Sequence, residues 1–369
     1  MRWDPSPRAR LVIKVVGYPL FYLFALLLGL RLSLPFDQIR GRVVAEFNAR
    51  QAKGSGYQLE IDDLSGYWLF GLSAKGVRLL VPSTGKDETK EPKAAGPTPS
   101  GSATPGGEEA SADAKESHGK KLVEFEKLHV SISPLRRLLG STVLSFGGKA
   151  LGGKFSGSYL DKKSLREIEL ELRKVNLSQL GVLAETLNVP LGGTASGSLE
   201  LEAPERKLAK AEGKLELTIE DFSVGDGKTK IRGALPLPKC SAGKLDIGAE
   251  ITEGKLKLTN FAGKGPDAEA NAEGQIRLRD PFKSSQADLN LRYKFTARYM
   301  GKNDITKGLF GEPGSGQGGL MDLDPKVKKA KSADGFYAWH VVGTLGSLGF
   351  QPGEGASIAA ARTKRPAAK

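Results

Sequence analysis

Residues 250–295 read EITEGKLKLTNFAGKGPDAEANAEGQIRLRDPFKSSQADLNLRYKF, and their alternation decides the fold. In Lys255-Leu256-Lys257-Leu258, Gln275-Ile276-Arg277-Leu278 and Asp288–Phe295, apolar side chains recur at alternate positions. Successive side chains of a strand point to opposite faces, so each segment has one apolar and one charged face. The pattern recurs upstream in Ser198–Leu201, Lys214–Ile219 and Lys244–Ile247, and in Ile168, Leu170 and Leu172 alternating with Glu169, Glu171 and Arg173. Many of these strands follow a glycine, and the turns between them are short. Sequential strands with short turns imply a mainly β fold: an elongated, curved antiparallel sheet with a few short helices. No fixed period repeats, so a regular solenoid is not implied. The apolar face leaves two possibilities open. The sheet curls around an ordinary core, or it forms a groove that accepts acyl chains.

Working outward, Leu144–Tyr159 reads as a Gly-rich hairpin and Leu122–Ile132 as a strand region, with a helical turn over Pro134–Gly140. Ser178 is a candidate cap for a helix over Gln179–Leu187 that stops before Pro190. Tyr57–Leu64 and Ala74–Val81 read as strands, with Gly66 turning the chain toward Tyr67–Leu72 and Pro82 closing the second strand. Trp68 and Phe70, beside a glycine turn, are expected to pack internally. Toward the C-terminus the reading is a Gly-rich loop over Met300–Gly319, a short helix over Leu320–Ala330 and a final strand over Phe336–Leu345. Ala338, His340 and Val342 share one face of that strand.

Before the sheet, Val15–Leu30 is an uncharged apolar run, VVGYPLFYLFALLLGL. With Leu11, Val12 and Ile13 before it and Leu32 and Leu34 after it, the run reaches bilayer length. Lys14 and Arg31 snorkel to the two headgroup regions. The expected anchor residues are Lys14, Val15, Leu20, Phe21, Leu27, Leu30 and Arg31. Arg2, Arg8, Arg10 and Lys14 precede the span, which places the N-terminus in the cytoplasm and the bulk of the chain outside it. The flank after Leu30 offers no small-x-small cleavage site, so the segment is expected to remain as one transmembrane helix preceding the β body. In Phe36–Gln51, Phe36, Ile39, Val43, Val44 and Phe47 follow helical spacing. That amphipathic helix either lies on the bilayer or packs on the first strands.

The resulting organisation is a basic tail (1–10), an anchor (11–34), a juxtamembrane helix with the first strands (35–82), a disordered linker (83–119) and a β-rich domain (120–298). A loop, short helix and final strand of the same domain follow (299–352), and then a disordered basic tail (353–369). The linker and tail are rich in Gly, Ala, Pro, Ser and Lys without apolar periodicity, and cannot bury enough surface to offset their ordering entropy.

The net charge of +13 suits anionic partners such as phospholipid headgroups. The lone Cys240 permits neither an intramolecular disulfide nor a thiolate metal cluster, and between Lys239 and Ser241 it reads as a loop bystander. His118, His129 and His340 lack ligand spacing, and no phosphate-binding loop with its terminal hydroxyl occurs. Asp62 and Asp63, as strand neighbours, diverge rather than form an acid–base pair. The expectation is a non-enzymatic protein with no cofactor and no metal. Nucleic acid is not an expected partner, because aromatics do not interleave with a basic face.

Five stretches carry a resemblance: YQLEIDDLSGYWLFGLSAKGVRL (57–79), LHVSISPLRRLLGSTVLSFGGKALGGKFSG (128–157), VNLSQLGVLAETLNVPLGGTASGSLELEAP (175–204), the 250–295 segment quoted above, and DGFYAWHVVGTLGSLGFQP (334–352). With the N-terminal anchor, this order resembles protein N of the bacterial type II secretion system (GspN), and the layout is also similar to AsmA-type envelope proteins. The first resemblance implies a periplasmic component anchored in the bacterial inner membrane that assists export of folded proteins, with other inner-membrane secretion subunits and the phospholipid bilayer as partners. The second implies a protein that shields lipid acyl chains on an apolar sheet face. Neither carries catalytic residues onto this chain.

Overall fold

The alternating segments form one antiparallel sheet of 14 strands in a computed structural model of the chain. The structure describes residues 18–51, 57–68, 70–82, 119–138, 140–180, 189–227, 230–231, 235–236, 238–312 and 318–353. The strands are β1 (Gln58–Tyr67), β2 (Gly71–Pro82), β3 (Gly119–Ile132), β4 (Thr142–Ala150), β5 (Gly153–Asp161), β6 (Leu165–Asn176), β7 (Leu191–Pro204) and β8 (Glu212–Val224). A two-stranded ribbon, β9 (Lys230–Ile231) and β10 (Leu235–Pro236), interrupts the meander. It resumes with β11 (Cys240–Thr252), β12 (Lys255–Lys264), β13 (Ala268–Arg277), β14 (Gln286–Phe295), β15 (Tyr337–Thr344) and β16 (Ser347–Pro352). Apart from the ribbon, each strand pairs with its sequence neighbours, so β1 and β16 are the two edges of an open sheet.

The helices are α1 (Tyr18–Ser33), α2 (Phe36–Gln51), α3 (Pro134–Leu138), α4 (Ala297–Met300), α5 (Asp304–Phe310) and α6 (Pro325–Ala330). As described, α1 spans 16 residues. Among the described residues no helix is long and apolar enough to cross a membrane. Of the expected anchor residues, Lys14 and Val15 lie outside the described residues, whereas Leu20, Phe21, Leu27, Leu30 and Arg31 lie on α1, with the Phe21 side chain exposed. The linker at 83–118, the tail at 354–369 and His118 also lie outside the described residues.

Helix α2 packs against β1. Ile39 joins Leu59, Ile61, Leu64, Ala74 and Val77 in one apolar cluster. Asn48 accepts a hydrogen bond from the Leu59 amide (2.7 Å) and donates to its carbonyl (3.4 Å), and Arg40 donates to the Asp62 carbonyl. These contacts blunt the β1 edge, which otherwise presents unpaired backbone groups.

Three neighbouring strands shift their alternation by one residue in the same place. Ala74 and Val77, three apart, both enter that cluster, as do Ile61 with Leu64 and Phe125 with Leu128. The shift occurs at Asp62, Gly76 and Glu126, where two polar residues, or a polar residue and glycine, interrupt the pattern. Gly76 has φ 59°, a conformation that disfavours a Cβ. An added methyl there would also meet the Asp62 carboxylate. Gly76→Ala is therefore expected to destabilise the protein by about 1–3 kcal/mol, read as a lower denaturation midpoint.

Several expectations are corrected. Gly66 lies within β1, and the turn is at Trp68–Phe70, where Trp68 adopts φ 52°. This turn projects Trp68 and Phe70 outward, 76% and 44% exposed, rather than into a core. Asn176, not Ser178, caps the turn after β6, accepting from the Ser178 amide. The described part of the expected helix is the 3-10 turn Leu177–Gln179, and residues 181–188 lie outside the described residues. Within the expected Met300–Gly319 loop stands α5, started by a reciprocal cap between Asn303 and Thr306 and held by Phe310 against Phe295, 4.7 Å between ring centroids. The expected helix over Leu320–Ala330 is two pieces, a 3-10 turn over Leu320–Leu323 and α6, because Pro325 starts a new helix with Asp324 as its cap. Phe336–Leu345 holds β15, which is not the last strand: Leu345 and Gly346 turn the chain into β16.

Candidate functional site: an uncovered apolar sheet face

Cross-strand register places the apolar side chains in continuous rows, because residues directly opposed in an antiparallel pair share a face. One row runs from β4 to β12 through Phe146, Gly157, Leu170, Leu199, Leu215, Ala249 and Leu258. The next runs through Gly148, Phe155, Leu172, Gly197, Leu217, Ile247 and Phe261. Neither row contains a polar side chain. The opposite face carries rows such as Glu200, Lys214, Glu250 and Lys257, whose signs alternate. These rows cross seven strands about 4.8 Å apart, so the floor extends about 29 Å across the sheet.

Among the described residues, the pieces that cover this floor sit at its margins. At one end of the central strands, Leu177 and Leu180 pack with Ala195, Ile219 and Leu245. At the other end, Leu208 and Ala211 pack with Ala203, Ile251 and Leu278. Near β14, the aromatic side chains of Tyr299 and Phe310 close over Phe295 and Ala268. Between these clusters Leu199, Leu215 and Leu258 are half-buried, while Leu217 and Ile247 pack against the Leu177 cluster. One corner ends in an ion pair, Arg206 to Asp161 at 3.1 Å.

The β14 margin also holds Cys240, which opens β11 and is buried, not looped out. The Ser241 amide donates to the Asp267 carboxylate (3.0 Å), which also pairs with Lys302 (3.2 Å), fixing this strand start. Burial, and then the Asp267 carboxylate, push the Cys240 thiol up to about 12. At pH 8 the native thiol is therefore expected to resist a water-soluble thiol reagent, and to react once denaturant is added.

His340 lies on the polar face with Nε2 2.8 Å from Asp288 Oδ1. His129 stacks on Tyr67, 4.7 Å between centroids. Asp62 pairs with Arg78, and Asp63 with Lys75. Among the described residues no group of three or more His, Cys, Asp or Glu side chains could hold a metal ion. No family model, curated protein or solved structure matches this chain.

Alternation identified which side chains share the floor. It did not show that the floor is left open, because coverage depends on where distant helices pack.

Proposed function

We propose that this protein is a non-enzymatic, membrane-tethered envelope component whose apolar sheet face holds phospholipid acyl chains. The observation that carries this reading is the floor, whose centre no described cluster covers. A continuous apolar patch larger than a few hundred Å² is rare on a protein with no partner there and marks an interaction surface. Covering a leucine side chain contributes about 1.5–3 kcal/mol relative to leaving it exposed. The half-buried Leu199, Leu215 and Leu258 thus gain part of this from an apolar occupant. A file of methylene groups suits them, since the rows offer no hydrogen-bonding side chain. In this reading α1, with the apolar residues before it, is the tether in the bacterial inner membrane, and the sheet stands on the periplasmic side.

Saturable binding of a fluorescent fatty-acid analogue by the full chain, held in a fluorinated surfactant, tests the reading. Displacement by phospholipid is the expected result. Binding that never saturates, or that phospholipid leaves unchanged, contradicts it.

The second reading is an accessory role in type II secretion beside other inner-membrane subunits. It is favoured by the β16 edge, where Leu348 and Phe350 are exposed and no further strand pairs among the described residues. Such an edge accepts a strand from another chain. Crosslinking from β16 in intact cells distinguishes the readings: secretion subunits captured there support the second.

A further inference from the structure

We propose that the polar face of β2–β6 docks onto the surface of an anionic phospholipid bilayer. Lys75, Lys127, Lys149, Lys154 and Arg173 stand directly opposite one another on successive strands. Strands about 4.8 Å apart make this a line of positive charge about 19 Å long. Like charges directly opposed destabilise a sheet. The face opposes like charges in pairs elsewhere, as at Glu169 and Glu200, but among the described strands a run of five cations on successive strands occurs only here.

Carboxylates compensate the row only at its ends. Asp63 lies 3.5 Å from Lys75, and Glu171 lies 2.6 Å from Arg173. Lys127, Lys149 and Lys154 are exposed and, among the described residues, have no carboxylate partner. With Tyr67, His129, Arg173 and its partner Glu171 they line one shallow depression of about 410 Å³, in which four cations outnumber one carboxylate.

Two observations favour a bilayer over a soluble polyanion. The residue after Tyr67 is Trp68, 76% exposed on its turn, with Phe70 close behind. Aromatic side chains beside Lys and Arg match the membrane–water interface. The row also begins on β2, whose neighbour β1 packs against α2 and follows it and the apolar helix α1 in the chain. The row lies on the face opposite the apolar floor, so this docking is independent of acyl-chain binding.

The test is flotation of the full chain, diluted from detergent into preformed vesicles of phosphatidylcholine, with or without about 30 mol % phosphatidylglycerol. The anionic lipid is expected to raise partitioning by about 10-fold or more at ~0.05 M salt, and ~0.5 M salt is expected to abolish the gain. The combined variant Lys127→Gln, Lys149→Gln, Lys154→Gln is expected to lose the gain and keep wild-type partitioning into neutral vesicles. Its denaturation midpoint is expected to equal or exceed that of the wild type, because repulsion is relieved. Leu215→Asp, on the other face, is expected to keep the gain whether or not the floor binds chains. A gain retained by the triple variant, or absent from the wild type, overturns the proposal. So does long-chain polyphosphate binding the row more tightly than anionic vesicles, which would assign the surface to a soluble polyanion.

Discussion

Leu215→Asp is expected to lower acyl-chain affinity by about 100-fold or more while leaving the sheet assembled. Leu215 sits mid-floor on β8, opposed by Leu199 on β7 and Ala249 on β11. Its half-buried position lets an aspartate stay hydrated when the floor is empty, so folding survives. An occupying chain would strip that hydration, and an unpaired carboxylate among methylenes costs several kcal/mol. Glu216→Gln is the matched control, one residue along but on the charged face, and is expected to leave affinity unchanged. Titration of the fluorescent fatty-acid analogue against both variants reads the difference. Equal loss in both variants would mean that the side of the sheet does not matter.

Tyr299→Ala is expected to be the most destabilising single change outside the floor. Tyr299 is 1% exposed, stacks on Phe295 with centroids 5.4 Å apart, and donates from its hydroxyl to the Pro238 carbonyl at 2.8 Å. Burial pushes its phenol well above the usual tyrosine range, so the group stays neutral and donates. Truncation removes the ring that closes the β14 margin, and aromatic-to-alanine changes in cores cost about 3–5 kcal/mol. Tyr299→Phe keeps the ring and loses the hydrogen bond, for about 1–2 kcal/mol. Denaturant titration of the two variants separates packing from hydrogen bonding. A Phe variant as unstable as the Ala variant would contradict this division.

Much of the fold was legible because one face of each strand is apolar and the other charged, and a period of two is hard to imitate. Lys214–Ile219 needed no tertiary information. The departures have local causes. The phase shift at Gly76 left a trace in the paired polar residues Asp62-Asp63 and Glu126-Lys127, which alternation alone treats as noise. Helix α5 was hidden by surrounding glycines, although Asn303 and Thr306 stand at capping-box spacing. Cys240 looked looped out between polar neighbours, but its burial comes from Tyr299 and Ala268, far along the chain. Trp68 and Phe70 looked like core because aromatics usually are, whereas the turn conformation at Trp68 turns them outward. For the candidate site, sequence pattern supplied the floor, and only tertiary structure placed the described covering pieces at its margins.

The central claim is that an acyl chain lies on one face of this sheet, and β8 tests it residue by residue. A photo-crosslinking amino acid placed singly at each position from Lys214 to Ile219 in the full chain in cells, followed by detection of attached phospholipid, reads the face directly. Crosslinks at Leu215 and Leu217, with none at Lys214, Glu216 and Thr218 nor at Ile219, which is buried beneath Leu177, are the predicted result. Lipid attached equally at all six positions, or at none, would contradict it.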